Sequence, residues 1–240
     1  MADNYYRFSA GVGWLTHLWK SATRQDHAHL RPVPRPLLPE DGVAIDVGAH
    51  GGQITRLLAG AMPRGQVFAV EPSGYARSVL RPSLWLRGAR NVVVVAAALG
   101  SEPGVALLRT PVKRRGDMGY GLATLGPAPA EGGIAEPVAV TTLDALVSAL
   151  NLTRLDFVKA DVEGYEAAMI AGAGATLRRF RPALLLEHDP ARLVRAGASN
   201  EALWGVLLAQ GYWPHAARGA KPVPLDGGPR DGDILWLARL

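Results

Sequence analysis

The chain contains no cysteine, which excludes disulfides, thiolate nucleophiles and cysteine-ligated zinc or iron–sulfur centres. Nothing in it therefore calls for an oxidising compartment. Aromatic residues are scarce, at 7%, and few of them neighbour the basic clusters Lys113-Arg114-Arg115 and Arg178-Arg179 with Arg181. Without platforms for stacked bases these clusters read as solvated faces, and a nucleic-acid partner is not expected. No window of about 18 apolar residues occurs, and the N-terminus lacks a basic region followed by a continuous apolar run. A soluble, cytoplasmic protein without a transmembrane segment is the expectation.

What is present is a chain of 240 residues, 48% of them hydrophobic, long enough for a sizeable core. One domain is expected, with residues 1–38 forming an N-terminal helix and proline-rich connector ahead of a domain over 39–240. The excess of Lys+Arg (26) over Asp+Glu (21) gives a formal charge of +5, which attracts anionic surfaces without identifying one. Trp14, Leu15, Leu18 and Trp19 fall at helical spacing. Their apolar face could dock on the core, on a second subunit in a homo-oligomer, or on a membrane surface; docking on the chain's own domain is the simplest of these. The segment "LRPVPRPLLPE" then carries four prolines and suits an extended connector.

Beyond it the apolar pattern alternates in type. "VAIDVG" reads as a buried strand, "GQITRLLAGAM" as a helix and "QVFAVE" as a second strand. A helix over about Tyr75–Leu86 is expected to kink or divide at Pro82, followed by one strand over Asn91–Leu99 and an antiparallel strand over Val105–Thr110. A Gly/Pro-rich loop extends to about Pro137. Thr142 can cap a helix beginning at Leu143, and the strand "LDFVKAD" leads to a helix over about Tyr165–Arg179 and the strand "PALLLEH". A helix near Asn200–Gln210 precedes the last strand, "DILWLARL". Nearly all-apolar strands alternating with helices imply an α/β, doubly wound, mostly parallel sheet covered on both faces.

The first strand runs into "AIDVGAHGGQ", where the glycines Gly48, Gly51 and Gly52 surround His50. Such a turn could serve backbone geometry alone. The second strand, however, ends in Glu71, 23 residues after Gly48, the interval at which a carboxylate can accept hydrogen bonds from both hydroxyls of an adenosine ribose. A nicotinamide dinucleotide would prefer G-x-G-x-x-G. Here the order is G-x-x-G-G, and Asp46 beside it would repel a pyrophosphate while suiting the sulfonium and ammonium of S-adenosylmethionine.

With these segments, "AAALGS", "VTTLDAL", "LDFVKADVEGYEAAMIAGA" and "RPALLLEH", the sequence resembles the FkbM family of S-adenosylmethionine-dependent methyltransferases over roughly Val43–His188. The Lys-x-Asp-x-Glu-Gly segment is the most specific part. The resemblance implies a class I methyltransferase (Rossmann-like) sheet with an antiparallel last strand and S-adenosyl-L-methionine as cofactor. It implies cofactor contacts from Asp46, Gly48, His50, Gly51 and Gly52 around the methionine moiety, from Glu71 at the ribose, and from Ala97 and Ala98 near adenine. Many methyltransferases place an acidic residue at the adenine position, and this chain departs from them there.

At the end of the fourth parallel strand, Lys159, Asp161 and Glu163 are the candidate catalytic groups. Strand alternation should aim Lys159 and Asp161 to one side, with Asp161 placed to take the proton of an acceptor hydroxyl. The same residues could be a structural ion pair, with Glu163 assisting the next helix. No metal is expected, although Asp161, Glu187 and His188 could together offer oxygen and nitrogen ligands to a divalent cation; Glu187 and His188 could equally contact substrate or form a surface pair. Acceptor specificity is expected from the glycine-rich loop and the N-terminal segment.

The leading function is O-methylation of a hydroxyl on a sugar, glycan or other small metabolite, including lipid-linked intermediates. An N- or nucleic-acid methyltransferase and a non-catalytic cofactor-binding protein are the alternatives. A tetrapeptide like N-P-P-Y is missing, which weighs against the nucleic-acid reading, and the retained Lys159, Asp161 and Glu163 weigh against a pure binder.

Overall fold

A computed structural model describes residues 4–7, 11–23, 37–111, 124–125, 133–217 and 221–238. Most of the proline-rich connector and most of the glycine-rich loop, with Lys113-Arg114-Arg115, lie outside these residues. Two sheets organise the rest.

The larger sheet has the order β12-β11-β13-β10-β9-β2-β3-β4. Its parallel part comprises β2 (Val43–Val47), β3 (Gln66–Val70), β4 (Val92–Val95), β9 (Phe157–Ala160) and β10 (Ala183–His188). Strand β13 (Gly232–Ala238) pairs antiparallel with β10, as "DILWLARL" implies, and β11 (Tyr212–Ala216) and β12 (Val223–Pro224) extend that edge. Helices α1 (Val12–Thr23), α2 (Gln53–Ala61), α3 (Gly74–Leu86), α4 (Leu143–Ala149), α5 (Glu166–Ala171), α6 (Gly174–Phe180), α7 (Pro190–Arg195) and α8 (Asn200–Ala209) surround it. Among the described residues no helix is long and apolar enough to cross a membrane.

Strand alternation sorts the core into two layers. Ile45, Val47, Phe68, Val158, Leu184, Leu186 and Trp236 belong to one cluster with residues of α4, α5 and α8. Ala44, Val67, Phe157, Leu185 and Leu235 belong to the other, against Ile54 and Leu58 of α2. Asp46, Lys159 and Glu187 share the parity of the second cluster, so these polar side chains are delivered to the α2 face of the sheet. That parity creates the site.

The smaller sheet, order β1-β8-β6-β7 with β5 on β8, differs from the expectation. Its strands are β1 (Asn4–Tyr5), β5 (Ala98–Leu99), β6 (Gly104–Pro111), β7 (Thr124–Leu125) and β8 (Gly133–Thr141). The single strand expected over Asn91–Leu99 is two: β4 stays on β3, and after a break at Ala96–Ala97 the chain joins β8 in the other sheet. The end of the expected loop is already strand, because β8 pairs antiparallel with β6 from Gly133↔Pro111 to Val140↔Gly104. Pro82 does not divide α3, which runs unbroken with Ser73 as N-cap. The helix expected over Tyr165–Arg179 is two, α5 and α6, parted at Gly172, where a Cβ would lie 2.2 Å from the Gly100 carbonyl oxygen. Thr142 caps α4 as expected, its hydroxyl accepting from Ala145 N at 3.0 Å.

Helix α1 docks on this domain. Trp14 Nε1 donates to Ser78 Oγ at 3.0 Å, His17 Nδ1 and the Tyr75 hydroxyl are hydrogen-bonded at 2.7 Å, and Arg56 donates to the Ser21 carbonyl.

Candidate functional site

A cleft of about 390 Å³ opens beyond the carboxyl ends of β2, β3 and β9, and residues of α1 and β5 complete its wall. This is where open parallel sheets bind ligands. Gly48 to Gly51 and Gln53 of the turn "GAHGGQ" line the cleft, and close approaches bear on two of the glycines. A Cβ at Gly48 would lie 2.0 Å from the Asp161 carbonyl oxygen, and φ there is 74°. At Gly51 a Cβ would lie 2.3 Å from Ser21 Oγ and 3.0 Å from its Cβ, so a larger residue would require the Ser21 side chain of α1 to give way.

His50 takes a left-handed φ of 54°, and its backbone N–H donates to Glu71 Oε2 at 2.9 Å. Ser73 N donates to the other oxygen, Oε1, at 2.8 Å. Glu71 is thereby locked to the turn and to the start of α3 while its carboxylate lines the cleft. Gly48, His50, Gly51, Glu71, Ala97, Ala98, Lys159, Asp161 and Glu163 all line it. Gly52, the N-cap of α2, and Asp46 do not.

Asp46 is fully buried, accepting from Thr55 Oγ1 at 2.5 Å. It stands directly across from Lys159 in the β2–β9 register, and Lys159 Nζ lies 3.5 Å from Asp46 Oδ1 and 3.7 Å from Asp161 Oδ2. The ammonium also donates to the carbonyls of Gly48 and Val47. Burial by itself would lower the Lys159 pKa, but Asp46 and Asp161 outweigh it and hold the pKa above its usual value. Lys159 is thus a fixed cation behind the cleft, with Asp161 as its outward partner.

Leu185 pairs with Lys159 across β10 and β9; two residues on, the same register brings Glu187 beside Asp161. Burial, then Asp161 itself, push the Glu187 carboxyl up to about 8. Arg192 opposes this shift without cancelling it, and two carboxyls so placed titrate as a pair, so a proton is retained between Glu187 and Asp161 more readily than by a lone carboxyl. Arg192 of α7 closes the group, lying 2.7 Å from Glu187, 3.1 Å from Glu163 and 3.0 Å from Asp189. Glu163 has a left-handed φ of 58°, and burial raises its pKa. Glu166 is the acidic residue in the first turn of α5, and its Oε1 accepts from Val162 N, ahead of the helix, at 2.8 Å.

His188 does not join this group. Alternation turns it to the opposite face, where Trp236 Nε1 donates to its Nε2 at 3.1 Å and its Nδ1 meets Asn200 Oδ1 at 2.7 Å. Both nitrogens are used and burial lowers its pKa, so a metal site built on Asp161, Glu187 and His188 is excluded by geometry. Among the described residues no cluster of three His, Asp or Glu is arranged to hold a metal ion.

Sequence reasoning missed Arg192 and Glu166. The Asp189-Pro190 pair was a usable signal for α7, since Asp189 caps it and Pro190 opens it.

The chain is similar in structure to the methyltransferase FkbM from Methylobacillus flagellatus KT, with TM-score 0.51 and 13% identity, covering 93% of this chain and 58% of that one. It therefore spans less than two thirds of that protein's length. SMU.1697c from Streptococcus mutans, solved in complex with SAH, aligns with TM-score 0.51 and 11% identity over 90% of this chain and 98% of that one. At such identities the likeness concerns the fold, which is the α/β fold of class I methyltransferases. No curated protein matches the sequence. The family model for the methyltransferase FkbM domain matches residues 46–213, well over half of the chain, and the chain accordingly belongs to the FkbM methyltransferase family.

Proposed function

We propose that this protein is an S-adenosylmethionine-dependent methyltransferase acting on a hydroxyl of a sugar, glycan or other small metabolite. The observation that carries the reading is the position of Asp161, held in the wall of the cleft between the Lys159 ammonium and the Glu187 carboxyl.

The cleft suits the cofactor. Its volume lies within the range of small-molecule sites. Glu71 presents a carboxylate whose two oxygens each retain a lone pair for a ribose hydroxyl after accepting one backbone N–H. Val70, Ala97, Ala98 and Leu99 give an apolar wall for adenine, and the turn from Gly48 to Gly51 brings backbone close to the methionine end. Asp46 serves that end indirectly, by fixing Lys159.

Bound there, S-adenosylmethionine supplies an electrophilic methyl group. The chain's own residues then have to position the acceptor oxygen and take its proton. Asp161 accepts that proton as the oxygen becomes acidic, Lys159 and Glu187 hold the carboxylate in place, and Arg192 anchors Glu187 and Glu163.

Titration calorimetry with S-adenosylhomocysteine tests the cofactor site. Binding is expected, and Glu71→Ala should weaken it by about 30- to 150-fold, the equivalent of roughly 2–3 kcal/mol for two lost hydrogen bonds to a charged acceptor. Tighter binding of NAD, or no binding of S-adenosylhomocysteine by the wild type, would overturn the reading.

A further inference from the structure

Helix α1 is only half covered. Its inner side carries the buried Ser21 and Ala22 and the bonded Trp14, whereas Val12, Leu15 and Trp19 form an outward stripe, 82%, 59% and 59% exposed. The adjoining α3 ends in the same style, with Trp85 80% and Leu86 54% exposed. Within the two helices the charge has one sign. Neither helix contains an acidic residue, none occurs anywhere in residues 74–90, and Arg81, Arg87 and Arg90 are exposed.

Aliphatic side chains, tryptophans and arginines on two helices that carry no carboxylate match the boundary between lipid headgroups and acyl chains. A second copy of this face would set arginine against arginine across a two-fold axis. We propose that the outer face of α1 and α3 is a docking surface for an anionic lipid bilayer. Val12, Leu15 and Trp19 enter the headgroup–acyl boundary, while Arg81 and Arg87 meet lipid phosphates. Lys20 and Ser21, immediately after Trp19, line the cleft, so docking brings the rim of the cleft to the bilayer.

The test is co-sedimentation of the full chain with vesicles of phosphatidylcholine alone and of phosphatidylcholine mixed with phosphatidylglycerol. Binding to the mixed vesicles is expected, weakened by salt and weak or undetectable on phosphatidylcholine alone. The double variant Leu15→Ser/Trp19→Ser should lose about tenfold or more in apparent affinity, and Arg81→Gln/Arg87→Gln should reduce the dependence on salt. These side chains are outside the cleft wall, so affinity for S-adenosylhomocysteine should not change. That measurement separates failure of this proposal from failure of the cofactor site. Wild-type protein left in the supernatant, or binding indifferent to both double variants, would overturn the proposal. So would a dimer in light scattering that Leu15→Ser/Trp19→Ser converts to monomer, since a second copy would then own the face.

Discussion

Lys159 sits among four oxygens at 3.3–3.7 Å, donating to two backbone carbonyls and lying between two carboxylates, more than an incidental ion pair needs. The arrangement turns one buried cation into a brace for Asp161 while tying β9 to β2. Asp161→Asn should lower kcat by about 10²- to 10⁴-fold, the usual worth of positioned proton transfer, with affinity for S-adenosylhomocysteine nearly intact. Single-turnover rates beside a cofactor titration check this, and wild-type turnover in the variant would remove Asp161 as the base. Glu187→Gln keeps a donor for Asp161 but cannot ionise, so its loss should be smaller. Because Glu187 ionises only near 8, the wild-type rate should fall above that pH as two negative carboxylates come to repel each other. A pH–rate profile of the Gln variant should lack that limb; the same limb in both proteins would assign it to another group. Lys159 and Asp161 were legible as partners from strand alternation alone. Glu187 was legible as a polar exception in an apolar strand, but its place beside Asp161 depends on the β9–β10 register, which no local pattern encodes.

At the scale of elements, the turn between β2 and α2 sets how closely three parts of the chain approach. Gly48→Ala combines a left-handed backbone with a Cβ 2.0 Å from the Asp161 carbonyl oxygen, and should cost about 2–5 kcal/mol. Gly60, exposed near the end of α2 with nothing within 4 Å of an added Cβ, is the contrasting case. There Ala should stabilise by about 0.5–1 kcal/mol. Urea denaturation of both variants measures the difference, and equal effects would show that helix propensity, not close approach, governs the turn. The strands of the parallel sheet and the cap at Thr142 were readable because each is specified by residues next to one another. The departure of Ala98–Leu99 to a second sheet was not, since "VVVVAAAL" is apolar throughout and the partner, β8, lies about forty residues away along the chain. The division between α5 and α6 was hidden for the same reason: Gly172 breaks the helix by packing on Gly100, a contact made only in the folded chain.

For the molecule as a whole, the cost of assembling Asp161, Glu163, Glu166 and Glu187 around Lys159, Arg192 and Arg195 should appear in its stability. Burial pushes Glu166, 1% exposed, up to about 7, and Glu187 reaches about 8. In the unfolded chain both titrate near the ordinary carboxylate value of about 4.3. Between that pH and 7 to 8 the folded state therefore holds protons that the unfolded state has released, and stability must fall as pH rises. Below the unfolded value the contribution is fully present; above the folded values it is gone. A fully retained proton is worth about 1.4 kcal/mol per pH unit. Glu187 has 28% of its side chain exposed, and solvent screening narrows the pH range over which its proton is retained, so the slope should lie between about 1.4 kcal/mol per pH unit where one proton is held and about 2.8 where both are. Glu166→Gln retains an acceptor for Val162 N but no titrating proton, and should flatten the slope of unfolding free energy between about pH 5 and pH 7. Glu187→Gln should do the same up to about pH 8, the value its carboxyl reaches. Denaturant titrations across that range, for the wild type and both variants, read the slopes directly. Three parallel curves would mean that the two carboxyls ionise in the folded protein as freely as in the unfolded chain, and the proton retained between Glu187 and Asp161 would have to be abandoned with them.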